Sequence, residues 1–444
     1  MSAISTTSQS LKGRAINSGL WSIGGHGAQQ VLRLGSNLIL TRLLFPEVFG
    51  LMALVQAVLA GLNMFSDVGL NAGVIRSKHG DEEAFLNTAW TIQVIRGVGL
   101  WLITCIAAWP MSKFYHQPEL MWLLPVVGLS SVAGGLSSTS LLTLQRKVLI
   151  KPLIIKDIVS QVVSLVVMIA LALVYRSVWA LVAGIIVGAI TKFVISYYLP
   201  MLYRPHLVFD RAAVHELIRF GRWIFVSTAM SFLMKQGDRL IFGKFIPLEM
   251  LGIYSIAVFW SRAALDALSK VNGQVLYPVY SQFANDDISS LRKKLFRVRS
   301  NLLMLFLPIL CMIVIFGHML IGLLYDDRYA EAGWMLQVLA SGSIASVIEL
   351  STTSVLFAVG DSFRVMILQI ARGFLLVGCM TVGGLMWGFH GVLVGMAVSK
   401  VADYPVLAWA LHRHRLWLPW LDFAAFGLSV ILCLLGLALT GQFT

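Results

Sequence analysis

Nine charged side chains within the long apolar segments of this chain could bind a ligand or an ion. Six are basic and three are acidic: Arg33, Arg96, Lys235, Arg239, Arg262, Arg372, Asp238, Asp266 and Glu349. An ionisable group at the centre of a bilayer costs about 2.5–3.5 kcal/mol on insertion scales, so it normally faces a protein interior or an aqueous cavity. Because the bases outnumber the acids, pairing within the set leaves a surplus of positive charge that would attract an anion.

The chemistry of this surplus favours a phosphate-bearing ligand, since the planar guanidinium fork of arginine matches the geometry of phosphate oxygens. Two acids, Asp266 and Glu349, are predicted to couple substrate movement to a proton or sodium gradient, because acids inside a membrane can relay ions. The predicted cationic substrate site consists of Arg33, Arg96, Lys235, Arg262 and Arg372.

A purely structural role is the alternative for each of these charges. Arg262 and Asp266 are four residues apart and share a helix face, so they can form an intrahelical ion pair. Arg239 lies near the end of its segment and can extend to the membrane surface. Any of the basic residues can also pair with Glu349 across helices, so both interpretations remain open.

Composition indicates the environment of these charges. The chain has 444 residues, of which 58% are hydrophobic and 12% charged, whereas about 25% are charged in a typical soluble domain. Its mean hydropathy is +0.82. Long continuous apolar runs predict membrane-spanning helices rather than the alternating strands of a barrel. The net charge of +13 lies mostly in short loops between these runs, so membrane topology explains it better than nucleic-acid binding.

The pattern predicts an all-α polytopic membrane protein with about thirteen transmembrane helices. Basic residues are concentrated in alternate loops, which places the N-terminus in the cytoplasm and the C-terminus outside. Two larger inside connections, 204–222 and 281–300, are predicted to be interfacial amphipathic helices. The predicted spans are 17–44, 48–69, 85–109, 121–142, 152–174, 178–199, 223–242, 251–271, 302–324, 335–359, 365–386, 392–411 and 417–439.

The chain also contains an internal repeat with an offset of 202 residues. "RLGSNLILTRLLFPEVFG" from Arg33 corresponds to "KQGDRLIFGKFIPLEMLG" from Lys235, and Trp21 corresponds to Trp223. Six predicted helices separate the copies, so both halves have the same orientation in the bilayer, as in parallel-repeat transporters. We therefore predict two six-helix lobes, 1–202 and 203–413, around a central cavity, with an extra C-terminal helix at 414–444.

Motifs for catalysis or metal binding are absent from the sequence. It has no GxxxxGK[ST] phosphate loop, no HExxH motif and no GxSxG nucleophile motif. The four cysteines lie in apolar runs and are predicted to be buried, while His412 and His414 are predicted to be solvated. No signal peptide is evident, so the first apolar run is expected to be a retained helix. We predict no enzymatic activity, no metal and no cofactor.

The segment 42–76, "RLLFPEVFGLMALVQAVLAGLNMFSDVGLNAGVIR", resembles the N-terminal signature of Wzx-type lipid-linked oligosaccharide flippases. These are polysaccharide exporters of the multidrug/oligosaccharidyl-lipid/polysaccharide exporter superfamily. "LYPVYSQFANDDISSLRKKLFRV" is similar to the central connection of this family, and "AVGDSFRVMI" is similar to a later inside turn. The matching positions in the first segment are Leu44, Pro46, Phe49, Gly50, Ala53, Gly69, Leu70, Ala72, Ile75 and Arg76.

The resemblance implies a monomeric secondary transporter with two lobes in a V around a cationic cavity. It would flip an undecaprenyl-diphosphate-linked oligosaccharide repeat unit across the bacterial inner membrane for O-antigen, capsule or exopolysaccharide assembly. A polysaccharide polymerase and a chain-length regulator would be its partners besides membrane lipids, and nucleic acid would not. A membrane glycan polymerase or ligase and a drug or cation exporter of the same superfamily are the alternatives.

Overall fold

A computed structural model describes residues 11–66, 70, 74, 77, 79–80, 82–147, 149–199, 205–210, 213–214, 224–271, 288–358 and 361–439. Within these residues all regular secondary structure is helical. A few isolated helical residues also occur in the connections. The α-helices, in chain order, are α1 Leu11–Leu43, α2 Pro46–Phe65, α3 Glu83–Tyr115, α4 Leu120–Leu136, α5 Ser140–Arg146, α6 Ile150–Tyr175, α7 Val178–Tyr198, α8 Ile224–Phe245, α9 Leu248–Val271, α10 Ile288–Leu324, α11 Ala332–Ala358, α12 Ser362–Ala402, α13 Tyr404–Arg413 and α14 Pro419–Leu439.

The predicted all-α membrane fold is confirmed, and each predicted span coincides with helical structure. The fourth span is the α4 and α5 pair, bent by 63°. Nine helices of the described residues are long and apolar enough to cross a membrane, and the bent pair would make ten. Since hydrophobic helices of about 20 residues match the hydrocarbon thickness, the chain is a multi-pass membrane protein.

The eleventh and twelfth predicted spans are the two arms of α12, which reverses direction at Trp387 and Gly388. Gly388 has φ +58°, a conformation that glycine adopts without a side-chain clash. The arms then pack backbone to backbone. The contact is so close that a Cβ atom on Gly383 would collide with the carbonyl oxygen of Gly391. The sequence "WGFHG" is therefore a tight turn between two antiparallel arms.

The connection at 281–300 differs from its prediction. Its described part, from Ile288 onward, is the first part of α10 and continues without a break into the apolar run that ends at Leu324. Leu291 and Leu295 are buried. Packing of this apolar face extends the helix on the N-terminal side of residue 302, where the predicted span begins. Residues 281–287 lie outside the described residues.

The connection at 204–222 also differs from the predicted amphipathic helix. Residues 205–210 have no regular secondary structure and lie along the first turns of α3. The backbone N–H groups of His206, Val208 and Asp210 donate to side chains of α3, namely Asn87 at 2.9 Å, Thr91 at 3.1 Å and Thr88 at 3.2 Å. These side chains satisfy alternate N–H groups, which fixes the segment without a helix. Only 213–214 are helical, and the remainder lies outside the described residues.

The chain divides into two compact units. The first comprises Met1–Phe232 and Gln236–Leu248, and the second comprises Leu233–Lys235 and Glu249–Thr444. The sequence repeat has a counterpart in the helix boundaries, since α1 ends at Leu43 and α8 ends 202 residues later at Phe245. Pro46 and Leu248, which begin α2 and α9, have the same separation. The lobe boundaries of 202 and 413 and the central cavity remain predictions.

Candidate functional site

Lys235 and Arg262, two of the predicted substrate-binding cations, lie close together in the second unit. Arg262 projects from α9, and its Nη1 donates to the main-chain carbonyl oxygen of Lys235 on α8, at 3.3 Å. The Lys235 side chain is exposed. Asp266, a coupling candidate, is also exposed, one turn after Arg262. The fold therefore places the Arg262 guanidinium against the main chain of α8 at the position of the exposed Lys235, and both residues carry groups that can bind an anion.

Arg372 and Glu349, which the sequence assigns to different roles, form one ion pair in the second unit. The Arg372 side chain on α12 contacts the Glu349 carboxylate on α11, and its Nε donates to Asp403 Oδ2 at 3.1 Å. All three are largely buried, with side-chain exposures of 10% for Arg372, 12% for Glu349 and 4% for Asp403. Lys400 adds a second cation near Asp403. The cluster therefore contains two cations and two carboxylates. Neither carboxylate lies three or four residues from Arg372, so the spacing of charges along a helix did not reveal these partners.

Arg96, in the first unit, is bound by the end of another helix. Its Nε donates to Ser66 Oγ at 3.0 Å and its Nη2 donates to the Asn63 carbonyl oxygen at 2.8 Å. These groups form the C-terminal turn of α2, where unpaired carbonyls carry partial negative charge. The guanidinium therefore has a structural role in capping α2, in addition to any contact with a ligand.

Arg33 belongs to the first unit and has an exposed side chain on α1. Its main-chain carbonyl accepts a hydrogen bond from Ser36 Oγ at 2.9 Å. The five predicted cations are thus distributed over both units, with Arg33 and Arg96 in the first and Lys235, Arg262 and Arg372 in the second. That these five cations form one substrate site therefore remains a prediction.

Sequence reasoning missed a buried ion pair in the second unit. Arg299, predicted to lie in the amphipathic connection 281–300, is on α10 and contacts Asp422 of α14, with Nη2 and Oδ1 2.6 Å apart. These side chains are 1% and 2% exposed. Arg299 Nε also donates to Ser351 Oγ, and Tyr404 Oη donates to Asp422 Oδ2. Asp403 and Asp422 both lie within predicted spans, so the signal that identified the other intramembrane acids applies to them as well.

His414 lies in a second ionic cluster, at the start of α12, rather than in solvent as predicted. Its Nε2 is 2.5 Å from Asp361 Oδ2, and Arg364 contacts the same oxygen. Asp361 caps α12 by accepting the N–H of Arg364. Burial raises the pKa of the Asp361 carboxyl, but the hydrogen bonds from His414 and Arg364 outweigh burial and lower this pKa to about 2. The carboxylate therefore stays ionised and holds the connection between α11 and α12.

The chain is similar in sequence to proteins of polysaccharide biosynthesis. The sequence profile of a family described as "Polysaccharide biosynthesis protein" matches residues 39–333. The chain is 21% identical to the lipopolysaccharide biosynthesis protein WzxC of Escherichia coli (strain K12), over 98% of this chain and 90% of that protein.

Two solved structures show the same fold at low sequence identity. The lipid II flippase MurJ, in an inward closed conformation, superposes with a TM-score of 0.73 and 12% identity, over 94% of this chain and 92% of MurJ. An inward-facing multidrug resistance MATE family transporter of the MOP superfamily gives a TM-score of 0.65 and 14% identity, over 87% of this chain and 94% of the transporter. The flippase and the drug transporter are both similar to this chain in fold. The fold therefore does not distinguish an anionic from a cationic substrate, whereas the charged side chains can.

Proposed function

Because the chain belongs to the polysaccharide biosynthesis protein family, we propose that it is a secondary transporter that flips a lipid-diphosphate-linked oligosaccharide across the bacterial inner membrane. The diphosphate and sugars would move through the protein while the lipid tail remains in the bilayer. The product would supply a surface polysaccharide, such as O-antigen, capsule or exopolysaccharide. The similarity to WzxC over most of both chains supports this substrate class.

The juxtaposition of Lys235 and Arg262 is the observation that supports an anionic substrate most directly. The Arg262 guanidinium lies 3.3 Å from the main-chain carbonyl oxygen of Lys235, so α8 and α9 bring two cationic residues to one part of the second unit. A diphosphate would be attracted to these charges, and arginine binds it through paired donors. We also propose that Arg33 and Arg96, which belong to the first unit, take part in substrate binding.

A drug or cation exporter would need acidic groups available to a positively charged substrate. In the second unit, Glu349 and Asp403 are already matched by Arg372, with Lys400 nearby, and Asp422 is matched by Arg299. These contacts favour the anionic substrate. We also propose that the protein acts without catalysis, since the flippase and drug transporter that share its fold are transporters.

Orientation, coupling and partners complete the proposal. The N-terminus would be cytoplasmic, and the protein would work as a monomer beside a polysaccharide polymerase and a chain-length regulator. Asp266 and Glu349 remain the candidates for ion coupling. Of the two, Glu349 would exchange its proton or ion only when its contact with Arg372 loosens, which would link the coupling step to a movement of α12 relative to α11.

Mass spectrometry of the lipid-linked glycans tests the proposal. Depletion of the protein should cause a lipid-diphosphate-linked repeat unit to accumulate. The variants Lys235→Ala and Arg262→Ala should reduce polymer export about tenfold or more, because a hydrogen bond to a charged group contributes about 1.5–3 kcal/mol.

The matched control is Lys113→Ala, which removes an exposed lysine near the end of α3. This variant should export polymer at the wild-type rate, and all variants should reach wild-type levels in the membrane. Wild-type export by the double variant of Lys235 and Arg262 would contradict the assignment of these cations. Depletion without any accumulated lipid-linked glycan would contradict the proposed function itself.

A further inference from the structure

The N-terminal part of α10 extends beyond the length that a membrane requires. The helix has 37 residues, which corresponds to about 55 Å at 1.5 Å per residue, against a hydrocarbon core of about 30 Å. The lysines and arginines of α10 all lie in its first twelve positions, before the apolar run begins at Leu302. This end of the helix therefore lies at the level of the lipid headgroups, on the side that the distribution of basic loops predicts to be cytoplasmic.

The two faces of this helical extension differ in character. Leu291 and Leu295 are buried, and Arg299 continues the same buried face through its ion pair with Asp422. On the other face, Lys293 and Arg297 are one turn apart and both exposed. Lys293 and Arg297 thus lie on a different face of α10 from Arg299, whose ion pair with Asp422 stabilises the fold.

The exposed face lines a cleft of about 570 Å³ in the second unit. Leu418, in the connection between α13 and α14, forms the opposite wall, and Arg292 joins the two walls by donating to the Trp417 carbonyl oxygen at 3.4 Å. Residues of α10 form the remainder of the lining: Arg292, Lys293, Phe296, Arg297, Ser300 and Asn301.

The lining combines three cations with two neutral hydrogen-bonding side chains, and none of the described lining residues is acidic. Phe296 is 51% exposed, which places an aromatic surface beside the charges. A soluble phosphate would use only the charged part of this lining. A phospholipid would use both parts, with its phosphate on the cations, its headgroup carbons against Phe296 and its acyl chains directed toward the apolar run that begins at Leu302.

We propose that this cleft binds the headgroup of an anionic phospholipid in the cytoplasmic leaflet. Lys293 and Arg297 bind the phosphate, and Ser300 and Asn301, which lie nearer to the apolar run at Leu302, bind the glycerol and ester oxygens. Phe296 packs on the carbon atoms of the headgroup. Basic pockets at the cytoplasmic ends of membrane helices are suited to anionic headgroups. The site depends on the proposed orientation but not on the identity of the transported glycan.

Lipid retention on the purified full-length protein tests this site. The protein is exchanged into nanodiscs of phosphatidylcholine with increasing phosphatidylglycerol, and bound lipid is counted by native mass spectrometry. The double variant Lys293→Gln/Arg297→Gln should retain one phosphatidylglycerol fewer, and its apparent affinity for this lipid should be about tenfold or more weaker. The variant Lys147→Gln/Lys151→Gln, which removes two exposed lysines at another predicted inside connection, should match the wild type.

Two further measurements distinguish the ligands and guard against misfolding. Inorganic phosphate at millimolar concentration should not displace the lipid, and displacement would show a phosphate site in place of a lipid site. If the double variant does not fold, the single variant Lys293→Gln and the charge-preserving Lys293→Arg/Arg297→Lys replace it, with loss and retention of the lipid expected. Wild-type retention by the folded double variant, or its equal loss from the control, would overturn the proposal. Because glycan export is not measured, failure of the lipid site leaves the proposed transport function unaffected.

Discussion

At the scale of single residues, a charge in a membrane helix has a different role according to the partner that the fold supplies. Arg299 is almost fully buried and bound to Asp422, so it is part of the framework of the second unit. Removal of one partner of such a pair is strongly destabilising, by about 3–5 kcal/mol, because the other charge stays buried. Arg372 has the same type of partner but also lies among residues predicted to couple transport, so its two roles need to be separated.

The variant Arg372→Gln should reduce both thermal stability and polymer export, because it leaves Glu349 and Asp403 without their guanidinium. The double variant Arg372→Gln/Glu349→Gln removes one charge of each sign and should recover most of the stability. Export should remain at least about tenfold below the wild type. Melting temperature in detergent and polymer yield are the two measurements. Full recovery of export in the double variant would show that Arg372 is structural only.

Asp361 provides a prediction about pH. Its pKa is lowered to about 2 in the folded protein, compared with about 3.9 for an ordinary aspartate. A lowered pKa stabilises the fold above the ordinary value, and this contribution is lost as the pH falls towards 2. The melting temperature of Asp361→Asn should therefore lie below that of the wild type at pH 6. The gap should stay constant down to about pH 4 and close between pH 4 and pH 2, and a gap that does not depend on pH would contradict this assignment.

At the scale of helices, two connections fold differently from their sequence patterns. The segment 205–210 belongs to a connection predicted to be an amphipathic helix, yet it has no regular secondary structure, and Asn87, Thr88 and Thr91 accept hydrogen bonds from its backbone. The basic stretch before Leu302 is continuous with α10 because its leucines have a core to pack on. In both cases a neighbouring element overrides the local preference.

The paired arms of α12 lead to a prediction at the same scale. The substitution Gly383→Ala should destabilise the protein by about 1–3 kcal/mol, as overpacking does, because its Cβ atom would meet the carbonyl of Gly391. Gly378→Ala on the same arm is the matched control, since a Cβ atom there meets open space. The control should melt at or slightly above the wild-type temperature, because alanine favours a helix over glycine. Equal melting of the two variants would contradict the close contact of the arms.

At the scale of the whole molecule, the helix ends preserve the repeat that the sequence contains. The ends of α1 and α8 and the starts of α2 and α9 keep the offset of 202 residues, so the repeat is present in the helix boundaries as well as in the sequence. The chain belongs to the polysaccharide biosynthesis protein family and shares its fold with MurJ and the MATE transporter. The orientation of the chain in the membrane is a prediction from the basic residues of its loops, and it can be measured.

Cysteine labelling tests this orientation. In a chain whose four cysteines are replaced by alanine, Lys113→Cys lies on the predicted outside and Lys147→Cys on the predicted inside, and both positions are exposed. A membrane-impermeant maleimide should label the first in intact spheroplasts, since it has direct access. The second should be labelled only after the membrane is disrupted. The reverse pattern would invert the topology and would move the proposed lipid site to the outer leaflet.

The sequence by itself determined the class of this protein, the positions of its membrane helices and the resemblance to polysaccharide exporters. These properties follow from hydrophobic runs and local motifs, which each segment carries independently of its neighbours. Only the tertiary structure decided which charges are paired, because Arg299 and Asp422 are 123 residues apart in sequence. Helical spacing reports partners on the same helix and cannot report a carboxylate supplied by another. In the folded protein Arg372 is therefore bound by carboxylates, and the proposed anion binding depends on Lys235 and Arg262, which meet through the main chain of α8.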